Sequence, residues 1–488
     1  MNQAIDYRAI LPELILSGTL LLVLLADAFL RPRRKWLAMP LAFVGVLAAL
    51  IAVLTLVGDE RSTFDGMFVV DDFAVLFKTF FLSVALIVLM VSFRYFRDGR
   101  FHQGEYYFLL LTSFLGAMLM PSSRDLLMLF ISLELVSAPG FLIAAFRKSD
   151  PRSNEAGIKF FLIGVLSTAV MLYGMSLIYG VTGSLNLSEI GRALSGTLPT
   201  GQEPLVLAAI LFVVSGFAFK VSAVPFQFWA PDTYEGAPVP VAAFLATASK
   251  AAGFAGLLQV MFVAFPDQHG FWTPIFVALS ITTMTIGNLI ALQQRQVVRL
   301  LAYSSIAQAG YMLLPFALVS TDVGVNQDAF AAAVTYILIY AIMTLGAFAV
   351  VIAMTRESRG LLIADFAGLG RRAPVLAVAM TVFMVSLAGI PPTGGFWAKF
   401  VVFKVAIEHG GIGVVLAVAM VLNSVVSLWY YLAVPRQMLF EEPALDRPLR
   451  SPALVVGATV LAMVAIVAVG VWPELVARFP PLSTLVGP

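Results

Sequence analysis

Fourteen stretches of about twenty predominantly apolar residues recur along the chain, from 9–30 through to 452–473. A helix needs roughly twenty such residues to cross the hydrocarbon core of a bilayer. Six residues in ten are hydrophobic and the mean hydropathy is +0.95, well beyond what a soluble globular protein of 488 residues carries. The expected fold is therefore an all-α polytopic membrane protein of about fourteen transmembrane helices. The first run is longer than a signal-peptide core and has no small-residue cleavage site, so it is expected to remain as a span.

The basic residues give the expected orientation. Of 30 Lys and Arg, 19 fall in the loops that follow odd-numbered runs and 6 on the other side, with 5 inside runs. Basic loops stay cytoplasmic, so both termini are expected on the outer side. The loop at 229–237 is the anomaly. It should be cytoplasmic, yet it carries Asp232 and Glu235 and no basic residue. The net charge of +2 implies no nucleic-acid partner, and no long polar segment suggests a soluble domain. With no Cys and three His, none of them mid-span, cysteine-ligated clusters and a bis-His haem are excluded from this chain. No glycine-rich nucleotide loop follows a predicted strand.

Two runs contain breaks. The seventh holds Lys220 and then Pro225, Pro231, Pro238 and Pro240; the twelfth contains Gly389-Ile390-Pro391-Pro392-Thr393-Gly394-Gly395 and then Lys399. Proline interrupts the helical ladder. Freed backbone groups at membrane depth need protein or water around them. Both broken segments hold a Lys and share Phe-Trp-Ala, with four runs between them. Two five-helix units follow, 104–265 and 266–435, inserted with opposite orientation as an inverted repeat. Three helices precede them (1–103), and a last helix and tail follow (436–488).

Lys78, Lys159, Lys220, Lys250 and Lys399 lie inside runs. Each central Lys costs about 2.5–3.5 kcal/mol on insertion scales, so most must find a carboxylate, water or carbonyl groups. Glu134 stands deep in the fifth run, and a Glu134–Lys220 ion pair is expected, either as a switch or as a structural bridge. Glu155 and Lys159 share a helix face, and Lys159, a turn deeper, is expected to reach the interior. Lys250 has no acid nearby in sequence and Lys399 adjoins a break; both suit relay sites. Lys78, close to Asp71 and Asp72, is expected to snorkel or pair locally. Tyr303, Ser304, Ser305 and Gln308 form a polar seam in the tenth run, holding either water or interhelical hydrogen bonds.

The segments FKVSAVPFQFWAPDTYEGAPVPVAAFLATASKAAGF, RLLAYSSIAQAGYM and SLAGIPPTGGFWAKF resemble those of the antiporter-like membrane subunits of proton-pumping NADH:quinone oxidoreductase, respiratory complex I. The fourteen-run pattern extends the likeness over essentially the whole chain. The resemblance implies a proton relay through Glu134, Lys159, Lys220, Lys250 and Lys399, with Glu155, Tyr303 and Gln308 as water-network residues. No lateral helix follows the fourteenth run, as it would in the L-type, and Lys399 stands where the M-type usually has Glu. The N-type branch is left. Its members usually carry His where this chain has Gln308; Gln does not titrate, so here that position would organise water. The resemblance further implies no cofactor or metal in this chain, with FMN, Fe–S clusters and quinone in partner subunits. Those partners would be an M-type neighbour, small membrane subunits and the lateral helix of the L-type subunit, in a bacterial inner membrane. Two other readings stay open: a cation/proton antiporter subunit of a multi-subunit exchanger, and a structural scaffold whose buried charges only fix packing.

Overall fold

Each apolar run becomes helical in a computed structural model of the chain, which describes residues 5–98, 103–196, 201–355, 357–358, 360–443, 447–449 and 451–477. His102 and the basic residues Arg100, Arg356, Arg359, Arg450 and Arg478 of the charge tally lie outside the described residues. The first part comprises α1 (Leu11–Phe29), α2 (Ala38–Leu54), α3 (Asp72–Asp98), α4 (Gln103–Leu119), α5 (Leu126–Ala144), α6 (Pro151–Thr182), a short α7 (Leu187–Leu194) and α8 (Glu203–Val221). An antiparallel hairpin of β1 (Arg61–Thr63) and β2 (Phe68–Val70), unanticipated from sequence, joins α2 to α3. Then come α9 (Trp229–Gly236), α10 (Val239–Phe244), α11 (Lys250–Gln259), α12 (His269–Ala291), α13 (Val297–Leu313) and α14 (Val323–Met354). The chain continues through α15 (Leu369–Arg372), α16 (Pro374–Ala388), α17 (Gly394–His409), α18 (Ile412–Phe440), α19 (Ala453–Val471) and α20 (Glu474–Ala477).

Among the described residues, twelve helical segments are long and apolar enough to cross a membrane. The 17-residue α4 and the broken pair α16–α17 fill the other two runs. Two boundaries differ from the sequence reading. The seventh run stops at Val221 rather than 228, because the chain turns ahead of Pro225. The twelfth resumes after its break and continues to His409, so Lys404, assigned to a loop by its charge, is helical. Side-chain oxygens of Asp125, Asp150, Asn186 and Asp322 accept from the free N–H groups that open α5, α6, α7 and α14.

Burial divides the helices. The segment from Val239 to Ala264 is wholly buried and α14 nearly so. The latter packs against α3, α10, α13, α16, α17 and α19. By contrast α6 and α18 present Leu166, Leu422 and Val425 outward, as helices facing lipid do. Lys220, Lys250 and Lys399 are themselves buried, whereas the two breaks also show Pro225, Phe228, Pro391 and Pro392 at the surface of the chain.

Candidate functional site

The first break is built to leave few backbone groups unpaired. Ser222 adopts a left-handed φ of +62°. That lets Ala223 N–H bond back to Ala218 O at 2.8 Å, closing α8. The Trp229 indole donates to Phe219 O at 3.0 Å, and Thr283 Oγ1 accepts from Val224 N–H at 3.0 Å. Lys220 occupies the last turn of α8, where the helix's negative end favours a cation. Its Nζ does not contact Glu134. It donates to Ser137 Oγ at 2.8 Å, one turn further along α5. Glu134 is half-buried, and one of its carboxylate oxygens is buried without a hydrogen bond. The expected direct ion pair is therefore corrected: Lys220 docks on Ser137, whose own hydroxyl donates to Leu133 O at 2.7 Å.

Lys250 opens α11 directly after a π-helical turn at 245–249. The side chain is 1% exposed, and Nζ donates to Ser305 O at 2.7 Å and Ser305 Oγ at 3.1 Å. The stem of Lys220 crosses this helix at Gly253, where an added Cβ would lie 2.8 Å from Lys220 Cγ. A substituted side chain there would push the two lysine sites apart.

The second break repeats the device. Gly389 takes a φ of +87°, Ile390 N–H returns to Val385 O at 3.1 Å, and Lys399 Nζ donates to Ala388 O at 2.9 Å. The ammonium lies 4.9 Å from the centre of the Tyr311 ring. Lys399 also borders a cavity of about 410 Å³ whose other walls are mainly apolar, among them Phe396, Phe400 and Val425. Among the described residues, none of Lys220, Lys250 and Lys399 forms an ion pair with a carboxylate; each is docked on neutral oxygen atoms.

Gln308, buried on α13, lies between the second and third lysine. Its Nε2 donates to Leu387 O and to Tyr431 Oη, both at 3.0 Å, and its Oε1 accepts from Tyr336 Oη at 2.5 Å. Ser304 Oγ is 2.5 Å from the same Tyr431 Oη. Tyr303 does not join this cluster; it lies beneath the Arg299 guanidinium, 5.9 Å from its ring centre. The polar seam thus splits between two faces of the helix.

Lys159 is corrected as well. It does not reach the interior: its side chain is 43% exposed, paired with Glu155 at 2.7 Å and Asp232 at 2.8 Å. Asp232 also meets Arg299 at 2.9 Å, and Arg299 meets Glu235 at 2.8 Å. The acidic 229–237 loop is thereby explained, since its cations come from α6 and α13. Burial pushes the Asp232 carboxyl up, but hydrogen bonds from Lys159 and Arg299 outweigh this and hold it below the usual carboxylate range.

Two buried pairs escaped the sequence reading. Lys78, fully buried over the Phe68 ring, faces Glu13 of α1 at 2.8 Å, so it neither snorkels nor pairs with Asp71. Asp71 instead takes Arg124 at 2.5 Å, and Arg124 also donates to Gln259 at the far end of α11. No local spacing signals either pair, because the partners are 65 and 53 residues apart. Ser137, Tyr336 and Tyr431 carried no signal beyond being polar, whereas Ser305 belonged to the expected polar seam of the tenth run.

The model of the family "NADH:quinone oxidoreductase/Mrp antiporter, TM" matches residues 123–427, the stretch that holds all three docked lysines. Among curated relatives, NADH-quinone oxidoreductase subunit N of Trichlorobacter lovleyi is 41% identical, covering 90% of this chain and 88% of that one. F(420)H(2) dehydrogenase subunit N of Methanosarcina mazei is 40% identical over 97% of each. A chain of respiratory complex I from Thermus thermophilus superposes with a TM-score of 0.80 at 33% identity, covering 96% of this chain and 98% of that one. The chain therefore belongs to the transmembrane family shared by NADH:quinone oxidoreductases and Mrp antiporters.

Proposed function

We propose that this chain is an N-type subunit of NADH:quinone oxidoreductase that moves protons across the membrane while electrons pass from NADH to quinone in partner subunits. One observation carries the reading: three lysines are buried in the membrane part of the fold with no carboxylate in contact among the described residues. A buried ammonium is expensive, and a structural ion pair would have met that cost with a partner charge. Docking on neutral oxygens leaves each site able to hold a proton and to release it.

The proton enters from the cytoplasm beside the Glu155–Lys159–Asp232–Arg299–Glu235 network and loads Lys250. Lys220 and Glu134 set the local field. Two unit charges about 7 Å apart at an effective dielectric of about 20 interact by roughly 2 kcal/mol. That exceeds one pKa unit and is enough to change the occupancy of a poised lysine. The proton then passes to Lys399 and leaves on the outer side. The reading includes fourteen crossings, with both termini outside a bacterial inner membrane. It also includes two inverted five-helix units at 104–265 and 266–435, after three helices (1–103) and before a last helix and tail (436–488). FMN, Fe–S clusters and quinone belong to partner subunits, and an M-type subunit, small membrane subunits and an L-type lateral helix are the neighbours. The Methanosarcina relative is named for a different electron donor, so what this chain supplies is the proton step.

The test is Lys250→Ala and Lys399→Ala in the complete complex reconstituted in liposomes, with protons moved per NADH oxidised as readout. Both variants should lower the ratio. Normal pumping by both would sink the reading. The family also contains Mrp antiporters. Purification of the chain without NADH-oxidising partners, together with Na⁺-driven proton exchange, would favour that alternative.

A further inference from the structure

The outer end of the helix that carries Lys250 is closed by side chains that the proton path does not use. Outward along α11 from Lys250 stand Gly253, Gly256 and Gln259, at three-residue intervals. Gly253 meets the stem of Lys220. Gly256 is pressed against Phe217 of α8 and against Met120, where an added Cβ would lie 2.8 Å from the Phe217 ring and 2.9 Å from Met120 Sδ. A water oxygen does not fit where a Cβ does not, so this apolar layer holds no water file between α8 and α11.

Beyond it lies Arg124. Its guanidinium donates to Gln259 Oε1, to Pro121 O at 2.8 Å, to Ser123 O at 3.3 Å and to Asp71 Oδ2 at 2.5 Å. The main chain of Arg124 is fixed as well. Its N–H donates to Met67 O, next to β2, and its carbonyl accepts from Leu187 N–H of α7, both at 2.9 Å. Gln259 Nε2 donates to Met120 O and Ala255 O, and Asp71 Oδ1 accepts from Ala74 N–H. Gln259, Asp71 and Arg124 are all buried. Each side chain of the cluster is committed on every side.

A proton travels along a hydrogen-bonded chain only where each group can accept one proton and release another. A guanidinium donates and has no lone pair with which to accept, and a fixed Arg excludes protons from water-selective pores. We propose that Arg124, clamped by Asp71 and Gln259, is a seal that stops protons returning from the outer side along the α8–α11 interface to Lys220 and Lys250. A lysine site that loads from one side needs such a seal, because a site open to both sides at once would dissipate the gradient it builds. This inference rests on the function and orientation proposed above, and its test keeps the two separable.

The experiment places the complete complex in liposomes, imposes a pH gradient without NADH and follows its decay with a trapped pH-sensitive dye. Asp71→Asn with Arg124→Gln removes both charges together, which avoids the stranded partner that either single change leaves. It also puts groups that accept where the guanidinium only donated. The double variant should assemble on a native gel and lose the gradient several-fold faster than wild type. Adding Lys220→Met, which keeps the stem against Gly253, should restore the wild-type rate. A wild-type rate in the assembled double variant would overturn the seal. So would a leak that persists with Lys220→Met, since it would run through loosened packing elsewhere. If the double variant does not assemble, Asp71→Ser with Arg124→Ser replaces it, with the same expectations. Failure of both to assemble would assign the pair to folding alone and likewise overturn the seal. The function is read separately, as protons moved per NADH oxidised in Lys250→Ala. A wild-type ratio there would remove the function, whereas a lowered ratio beside a tight double variant would remove only the seal.

Discussion

Lys250 donates to both oxygens of one serine, whereas Lys399 donates to a single carbonyl and covers a tyrosine ring. Removing either ammonium therefore strands only neutral acceptors. We expect Lys250→Met, which keeps the stem volume, to assemble normally and to lose pumping; poor assembly without a pumping defect would count against its role. Lys220 docks on Ser137 rather than on Glu134, so the field role proposed for Glu134 depends on its charge. Glu134→Ala should impair proton movement more than Glu134→Asp, and equal losses would argue against a charge effect. The lysines and Glu134 were legible in the sequence because a charge within twenty apolar residues is conspicuous. Their partners were not. Serine hydroxyls and main-chain carbonyls occur everywhere, and only the reach of the lysine side chains, from α8 to α5 and from α11 to α13, selects Ser137 and Ser305. Lys159 was misjudged because depth in sequence does not reveal that an acidic loop folds back to meet it.

The two breaks were legible as elements, since proline and clustered glycine interrupt any helical ladder. How they are sealed was not. At the second break Gly395 is pressed onto Ser386, where an added Cβ would stand 1.8 Å from Ser386 O. Gly395→Ala should therefore abolish assembly of the subunit, visible as loss of the intact complex on a native gel. The α9 loop makes a pH-dependent prediction. The Asp232 carboxyl is held below its ordinary range, so its contribution is complete above the unfolded aspartate pKa of about 3.9. It is lost as pH falls through the lower folded value. Asp232→Asn should lower the thermal midpoint at neutral pH, and the gap between variant and wild type should close only in strong acid. A gap that is constant with pH would mean the charge is not what Asp232 contributes.

Across the whole molecule, pairs distant in sequence hold the ends of the buried segments. Arg124 joins Asp71, at the start of α3, to Gln259, at the end of α11. Breaking such a buried pair by removing one partner costs about 3–5 kcal/mol, so Arg124→Ala should sharply reduce the unfolding temperature of the subunit. Glu13 and Lys78 offer the complementary case. Either single replacement by Leu should destabilise, and Glu13→Leu with Lys78→Leu together should recover most of the loss, read as a thermal midpoint. A double variant as weak as the worse single would show that the pair is needed as charge. The all-helical membrane architecture was legible in the sequence because hydropathy records length, whereas short helices such as α7, α9 and α15 were not. Which helices lie inside was not, because α14 and the lipid-facing α18 are almost equally apolar.

The second break has one further tie. The Trp397 indole donates to Gly470 O at 3.0 Å, and an added Cβ on Gly470 would stand 2.2 Å from Pro392 O. The break that precedes Lys399 is thus backed by α19, which follows it in synthesis. Until that helix inserts, a nascent chain would carry an unbacked break between two half-helices within the bilayer. Chains halted before residue 453 should consequently be cleared by membrane proteases, whereas those that include α19 should persist. Pulse-chase labelling of staged truncations would time the moment at which the site closes.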